Sequence, residues 1–255
     1  EHSGRSAAGA YYIISADVGR KGCDTVVCIF KVTPQAQGPA IKSLVNIYTM
    51  TDEHMEDQAI KLKKLYYKYK ARTLVIDGNG LGIGLVDYMI KSQEDENGDF
   101  YPDFGVENDD DGYYKKYRTA NTEFDAMYIL KANAPINTEC HANAQTQLQA
   151  GKVKFLIDER GAKEKLLATK MGQNMKPEER AEYLKPFTLT SILKEEMMNL
   201  REENEGVNII LKQANRGIRK DKFSAFEYGL YYIKQEEDKK KKKKKFNAAD
   251  WAFFN

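Results

Sequence analysis

Cysteine and histidine are both scarce in this sequence, with three of each among 255 residues. An odd number of cysteines without a C-x-x-C pair argues against a disulfide framework and a zinc site, and it favours a reduced, cytosolic compartment. The histidines are scattered and none stands at metal-ligand spacing from another, so no histidine is predicted to be functional. The six residues are Cys23, Cys28, Cys140, His2, His54 and His141.

Long apolar runs and nucleotide-binding loops are also absent. No run approaches the roughly 20 apolar residues that span a bilayer, so no membrane partner is expected. The chain lacks an initiating Met and a signal-peptide core, and residues 1–9 are interpreted as a linker or cloning remnant in a fragment of a longer protein. A G-x-x-x-x-G-K-[ST] loop occurs nowhere, which excludes a phosphate-loop ATPase within this chain.

Positive charge is concentrated in one segment. The net charge is +2, and residues 239–245 are seven consecutive lysines, so subtracting their seven charges leaves −5 for the rest of the chain. A like-charge block is usually disordered, and residues 237–255 are therefore predicted to be a solvated, lysine-rich tail. The alternative is a segment that attracts nucleic-acid phosphates without sequence preference.

The first third of the chain predicts a mixed sheet. The β-rich segments 11–16, 25–32 and 41–50 are joined by short connections, which predicts an antiparallel meander. Residues 52–69 carry apolar side chains at helical spacing and a strand at 73–76 follows, as in the crossover of a parallel pair. The expected fold is α/β, with a mixed central sheet of about five or more strands and helices on both faces.

The rest of the chain gives a more polar pattern. Residues 92–118 are rich in carboxylates but lack the EF-hand register, so they are predicted to be a solvated acidic insertion. Helices are predicted over residues 122–131, 138–150, 162–171, 190–203 and 220–235, and strands over residues 152–157 and 207–214.

The stretch TLVIDGNGLGIGL, residues 73–85, ends a buried strand on Asp77 and continues in glycines. A dinucleotide-binding G-x-G-x-x-G does not fit because residue 83 is Ile, and a carboxylate would repel a phosphate unless a cation lay between them. Asp17 ends the first strand in the same way. If these strands are parallel neighbours, about 4.8 Å apart, both carboxylates emerge at one sheet edge. Two divalent ions about 3.5–4 Å apart would relieve their repulsion, as in two-metal phosphodiester cleavage.

Such a site usually needs a third acid, and the candidate is Asp221 at the start of the last predicted helix. A helix-starting Asp is usually a cap or a dipole partner, and that alternative stays open. The basic residues around it suit a phosphodiester backbone and are predicted to contact DNA without reading its sequence. They are Arg216, Arg219, Lys220 and Lys222.

Four stretches together resemble the C-terminal nuclease domain of phage terminase large subunits: ISADVG, LVIDGNGLGIGLVDYM, RTANTEFDAMYIL and RKDKFSAFEYGLYYI. The resemblance implies a ribonuclease H-like domain, over residues 10–236, that cuts concatemeric viral DNA during genome packaging. It also implies that Asp17, Asp77 and Asp221 are the catalytic residues and hold two divalent metal ions, Mg or Mn.

The resemblance extends to neighbouring positions and to partners. Gly78 and Gly80 match the turn that lets the backbone pass close to the site. Some members of the family have a His three residues before the third acid, but this chain has Ile218, so no His role is supported there. The implied partners are double-stranded DNA, an ATPase domain that this chain lacks, the small terminase subunit and the portal ring, all in the host cytoplasm.

Several assignments stay open at this point. Asp24 is a further metal-ligand candidate because it lies across the first turn from Asp17, although it could simply be a turn residue before a strand. Asp87 is expected at the surface, and Asn121 is expected to cap a helix. One rival function is a Holliday-junction resolvase of the same fold. Another is a non-catalytic docking module, in which the lysine tail and the FNAADWAFFN segment anchor a partner such as the portal ring.

Overall fold

The computed structural model describes residues 9–19 and 22–252, with side chains described as far as Lys242. Two sequence predictions lie partly outside these residues, namely the linker at 1–9 and the FNAADWAFFN segment. Within the described part of the chain, no helix is long and apolar enough to cross a membrane.

A seven-stranded mixed sheet forms the centre of the fold. The strands of the described residues are β1 (Tyr11–Asp17), β2 (Asp24–Thr33), β3 (Ile41–Thr51), β4 (Thr73–Asp77), β5 (Gln93–Glu94), β6 (Phe100–Tyr101), β7 (Phe104–Val106), β8 (Glu123–Leu130), β9 (Val153–Lys154), β10 (Leu200–Glu205) and β11 (Asn208–Gln213). The order in the main sheet is β7-β8-β4-β1-β2-β3-β9, while β5–β6 and β10–β11 form separate two-stranded sheets. β1, β2 and β3 are antiparallel neighbours, whereas β4 is parallel to both β1 and β8. The predicted meander followed by parallel strands is confirmed, and it is the arrangement expected of a ribonuclease H-like fold.

Helices cover both faces of this sheet, as predicted. They are α1 (Met55–Tyr69), α2 (Leu81–Met89), α3 (Ala134–Gln149), α4 (Glu159–Leu167), α5 (Lys170–Asn174), α6 (Pro177–Met198) and α7 (Asp221–Ala252), with a short 3-10 helix at Lys115–Tyr117. Ile14 and Ile29 pack with α1 and α2 in one core, whereas Ile13 and Phe30 pack with α3, α6 and α7 in the other. Because side chains alternate between faces, strands covered on both sides are apolar at almost every position.

The long helix α7 crosses the sheet in close contact with β1 and β2. At Gly229 a Cβ atom would lie 2.5 Å from Phe30 Cε2 and 3.0 Å from Ser15 Cβ. No other residue type fits this approach without movement of the core, so Gly229 fixes how closely α7 lies on the sheet.

The lysine run continues α7, so the prediction that it is disordered is wrong: the helix extends through Ala252. Ion pairs three residues apart support its first lysines. These pairs are Lys239–Glu236 and Lys241–Asp238. At 1.5 Å of rise per residue, the run begins about 27 Å from Asp221 along the helix. The lysines therefore lie at the far end of α7 from the predicted site.

Residues 92–118 are not a solvated insertion throughout. β7 lies in the central sheet beside β8, and Asp103 is buried there. The Asp103 carboxylate accepts hydrogen bonds from the hydroxyls of Thr119, at 2.7 Å, and Thr122. These bonds satisfy a buried charge, so this acid has a structural role.

The helix predicted over residues 122–131 is wrong, because these residues form β8. This strand buries consecutive apolar residues such as Ile129 and Leu130, and such a run cannot be told from a buried helix by its periodicity. Asn121 consequently precedes a strand and caps no helix. Asp87 is exposed on α2, as predicted.

Two further boundaries differ from the prediction. The helix predicted over residues 190–203 ends at Met198, and β10 follows, pairing with β11 in a hairpin. The strand predicted over residues 152–157 is confined to Val153–Lys154 at the sheet edge, while the strand predicted over 207–214 is present as β11.

Candidate active site

The ends of β1 and β4 bring Asp17 and Asp77 side by side. The strands are parallel with Ala16 opposite Ile76, so the two aspartates follow at the next position of each strand. Ser15 lies against α7, and side chains alternate along a strand, so Asp17 also faces α7. Both carboxylates are partly buried.

The first residue of α7 adds a third carboxylate, Asp221, to this edge. The start of the helix is held over β2, because the Lys222 carbonyl oxygen lies 4.0 Å from Cys28 Sγ. A carboxylate in the first helical turn also interacts favourably with the helix dipole, so Asp221 helps α7 to begin here. Arg219 Nη1 lies 3.8 Å from Asp221 Oδ2.

Burial and mutual repulsion raise the pKa of Asp17 to about 7. Loss of hydration is the largest cause, and the carboxylates of Asp77 and Asp221 add to it. The pKa of Asp77 is also raised by burial, which hydrogen bonds from Asn79 partly offset. The three carboxylates thus form one electrostatic cluster, and a divalent cation would stabilise their ionised forms.

These residues fit a hard divalent ion by their chemistry. Carboxylate oxygens are the donors that Mg²⁺ and Mn²⁺ prefer. No group of three His, Cys, Asp or Glu side chains within residues 9–19 and 22–242 stands at the spacing of a formed metal site.

Three of the four predicted phosphate-binding residues are exposed: Arg216, Arg219 and Lys220. Arg219 Nη2 donates to the Gly22 carbonyl oxygen at 2.8 Å, which ties the basic turn to the β1–β2 connection. The positive charge of Lys220 acts to lower the pKa of Asp17, so this side chain lies close to the carboxylates.

The assignment of Lys222 to DNA binding is wrong. Its side chain is buried, and its Nζ lies 3.2 Å from Glu196 Oε1 on α6. Glu196 Oε2 also accepts the backbone N–H of Phe223 at 2.9 Å. Lys222 therefore joins α7 to α6 inside the protein.

Asp24 is not brought together with the other acids. Its Oδ1 accepts a hydrogen bond from Thr51 Oγ1 at 2.6 Å, at the paired ends of β2 and β3. Asp77 lies on the opposite side of β1, in β4. The structure thus gives Asp24 a partner within the hairpin.

The glycines after Asp77 hold the loop close to the strand end. The Gly78 N–H donates to the Leu130 carbonyl oxygen at 2.8 Å, and Gly80 has a φ of 53° just before α2. The tightest approach is at Gly82, where a Cβ atom would lie 1.6 Å from the Asp77 carbonyl oxygen. The glycine pattern therefore fixes the position of the Asp77 peptide.

Two glycines of α2 give a matched test of this packing. Gly82→Ala forces two backbone segments apart and is expected to destabilise the protein by about 3 kcal/mol or more. At Gly84 a Cβ atom would meet nothing within 4 Å, so Gly84→Ala should stabilise α2 by about 0.5–1 kcal/mol. Urea denaturation of both variants checks this, and shifts of equal sign would contradict it.

Three residues beside the carboxylates are not found by the sequence reasoning: Glu227, His141 and Tyr228. Glu227 and Tyr228 are buried on α7, and the pKa of Tyr228 is raised by burial and then by Asp77. Glu227 is the single charged residue in the apolar run FSAFEYGLYYI, and this signal could have drawn attention to it. His141 gives no such signal, because its partner Glu227 lies 86 residues away in the chain.

No protein family and no curated protein matches this chain by sequence. Among solved structures, the large terminase nuclease of thermophilic phage G20c with bound magnesium is 15% identical, with a TM-score of 0.48 over 87% of this chain and 80% of that one. The same nuclease with bound cobalt is 14% identical, with a TM-score of 0.49 over 87% of this chain and 80% of that one. The large terminase nuclease domain of Thermus phage P74-26 is 13% identical, with a TM-score of 0.46 over 86% of this chain and 78% of that one. Sequence identities and TM-scores this low assign no activity to this chain.

Proposed function

We propose that this chain is a metal-dependent DNA endonuclease. The observation that carries the proposal is the cluster of Asp17, Asp77 and Asp221 at one sheet edge, where burial and repulsion raise the pKa of Asp17 to about 7. Arg219 and Lys220 lie at the same edge, with Arg219 Nη1 3.8 Å from Asp221 Oδ2. Carboxylates that favour divalent cations, next to side chains that favour phosphates, suit hydrolysis of a phosphodiester backbone.

Each group has a distinct role in this proposal. Asp17, Asp77 and Asp221 hold two divalent ions, Mg or Mn. When bound, such a pair of ions supplies an activated water and stabilises the leaving oxygen of the phosphodiester. The basic side chains of Arg216, Arg219 and Lys220 bind backbone phosphates and position the duplex. Because phosphate contacts carry no sequence information, low sequence specificity of cutting is expected.

The motifs that resemble terminase nucleases support a finer proposal. The chain would cut concatemeric viral DNA during genome packaging in the host cytoplasm. It would act together with an ATPase domain, a small terminase subunit and a portal ring.

Cleavage of supercoiled plasmid by the full chain tests the proposal. We expect cutting with Mn²⁺ or Mg²⁺ and none with EDTA. Asp77→Asn should lose more than about a hundredfold in rate, since even changes outside a metal's direct ligands cost ten- to a hundredfold. Asp87→Asn, an exposed change on α2, should cut like the wild type.

Two results would contradict the proposal. Equal cutting by wild type and Asp77→Asn would show that the activity does not come from this site. No cutting, together with no Mn²⁺ binding by calorimetry, would favour the docking module. A strong preference for four-way junctions over linear duplex would instead assign the same site to a junction resolvase.

A further inference from the structure

A fourth buried acid lies on α7 behind the carboxylate cluster. Glu227 is 3% exposed and follows Asp221 by six residues. Its Oε2 lies 2.6 Å from Nδ1 of His141, a residue of α3 that is itself largely buried. Among the described residues, the hydrogen bonds and ion pairs of the Glu227 carboxylate are limited to this one partner.

Glu227 interacts electrostatically with the same carboxylate cluster. Its charge adds to the rise in the pKa of Asp17, and Lys220 acts to lower the pKa of both acids. Burial raises the pKa of Glu227 itself, and the hydrogen bond and charge of His141 oppose this. A Cβ atom at Gly229, two residues further along α7, would lie 3.0 Å from Ser15 Cβ, two residues before Asp17 on β1. The helix therefore places Glu227 near the end of β1, while His141 anchors its carboxylate to α3.

A role in packing alone does not account for an acid at this position. A buried carboxylate with one partner costs free energy, and an apolar side chain of similar size would fill the same space at lower cost. The metal site proposed above would give the Glu227 carboxylate a function. Mg²⁺ takes about six oxygen ligands and keeps several of its waters, so three carboxylates leave bound waters whose hydrogens need acceptors.

We propose that Glu227, oriented by His141, is a positioning residue of the metal site, whose Oε1 accepts hydrogen bonds from the waters of an ion held at Asp17. The inference rests on the proposed function. Acceptors of this kind outside the direct ligands orient those ligands and typically change metal affinity by ten- to a hundredfold. His141 contributes by holding Oε2, which leaves Oε1 as the acceptor.

Calorimetric titration of Mn²⁺ into the full chain, with thermal unfolding in EDTA, tests the proposal. In Glu227→Gln the amide oxygen can still accept from His141, but its NH₂ group cannot accept from water. We expect the Kd for Mn²⁺ to rise ten- to a hundredfold, while the metal-free Tm stays the same or rises because a buried charge is gone. The matched control is Glu139→Gln, since Glu139 accepts a hydrogen bond from the Tyr231 hydroxyl across the same α3–α7 interface at 3.3 Å. This variant should leave the Kd for Mn²⁺ unchanged.

Variants of His141 separate positioning from packing. His141→Asn places an N–H donor close to the position of Nδ1 and should keep most of the Mn²⁺ affinity. His141→Leu preserves bulk without a donor and should match Glu227→Gln in Kd.

The outcomes are distinct. If Asp77→Asn abolishes Mn²⁺ binding and Glu227→Gln leaves it unchanged, this inference alone is overturned. A lower metal-free Tm in Glu227→Gln with an unchanged Kd would assign the pair a structural role and overturn it too. Wild type that binds no Mn²⁺ would overturn the proposed function and this inference with it.

Discussion

Replacing Asp17 with Asn is expected to stabilise the metal-free protein while abolishing metal-dependent cleavage. The pKa of Asp17 rises from its ordinary 3.8 to about 7 on folding. Between these values the unfolded chain has released its proton while the folded chain holds it. Stability therefore falls as the pH rises from about 4 to about 7, and the penalty is complete above pH 7. The Asn side chain has a similar shape and no charge, so it removes this penalty.

The expected gain can be estimated from the same shift. At about 1.36 kcal/mol per pKa unit the upper bound is about 4 kcal/mol, and partial exposure of Asp17 to solvent reduces this to about 2 kcal/mol. For a chain of this size that corresponds to a Tm higher by about 4–8 °C at pH 8 in EDTA. The difference should shrink as the pH falls and vanish near pH 4. Thermal unfolding of wild type and Asp17→Asn at several pH values measures it.

Adding metal should reverse the order of the Tm values of the wild type and Asp17→Asn. Mn²⁺ is expected to raise the Tm of the wild type at pH 8, because ligands that bind only the folded state stabilise it, and to leave Asp17→Asn nearly unchanged. Plasmid cleavage by the variant should fall by more than about a hundredfold. A variant that is less stable than wild type in EDTA at pH 8 would show that Asp17 is a structural acid. Asp87→Asn, on the exposed face of α2, serves as the control for loss of one negative charge.

The sequence predicts the position of these aspartates because strand ends are a local signal. Apolar runs end at Asp17 and at Asp77, and the helix predicted before the second of these strands is typical of the crossover of a parallel pair. Both carboxylates then lie at one edge if the strands are neighbours, which the pairing of β1 with β4 confirms. The start of α7 at Asp221 is equally local, since the helical pattern and the preceding basic turn mark it.

Features that depend on packing are not predictable in the same way. The residues of β8 are predicted to be a helix, because a strand buried on both faces has no period-2 signal. Lys222 groups with its basic neighbours in the sequence, although only the position of α6 shows that its ammonium lies on Glu196. The pairing of Glu227 with His141 depends on how α3 lies against α7, which no local pattern encodes.

Breaking the Lys222–Glu196 pair is expected to cause the largest loss of stability among these changes. Lys222 Nζ and Glu196 Oε1 are 3.2 Å apart, with side chains 10% and 1% exposed. Burial raises the pKa of Glu196, and the charge of Lys222 and the Phe223 N–H oppose this rise. Removing one charge leaves the other buried without compensation, which typically costs about 3–5 kcal/mol. Glu196→Gln and Lys222→Met, which keep side-chain length, should each lower the Tm by about 6–20 °C.

The double variant distinguishes a paired charge from two independent contributions. In Glu196→Gln with Lys222→Met neither charge is left buried, and the Gln oxygen can still accept the Phe223 N–H. The double variant is therefore expected to be more stable than either single variant, since replacing a whole buried ion pair is often close to neutral. Additive losses in urea denaturation would mean that the two side chains act separately. Since Lys222 and Glu196 join α6 to the start of α7, an intact pair also keeps Asp221 at the sheet edge, and the single variants should weaken Mn²⁺ binding along with the fold.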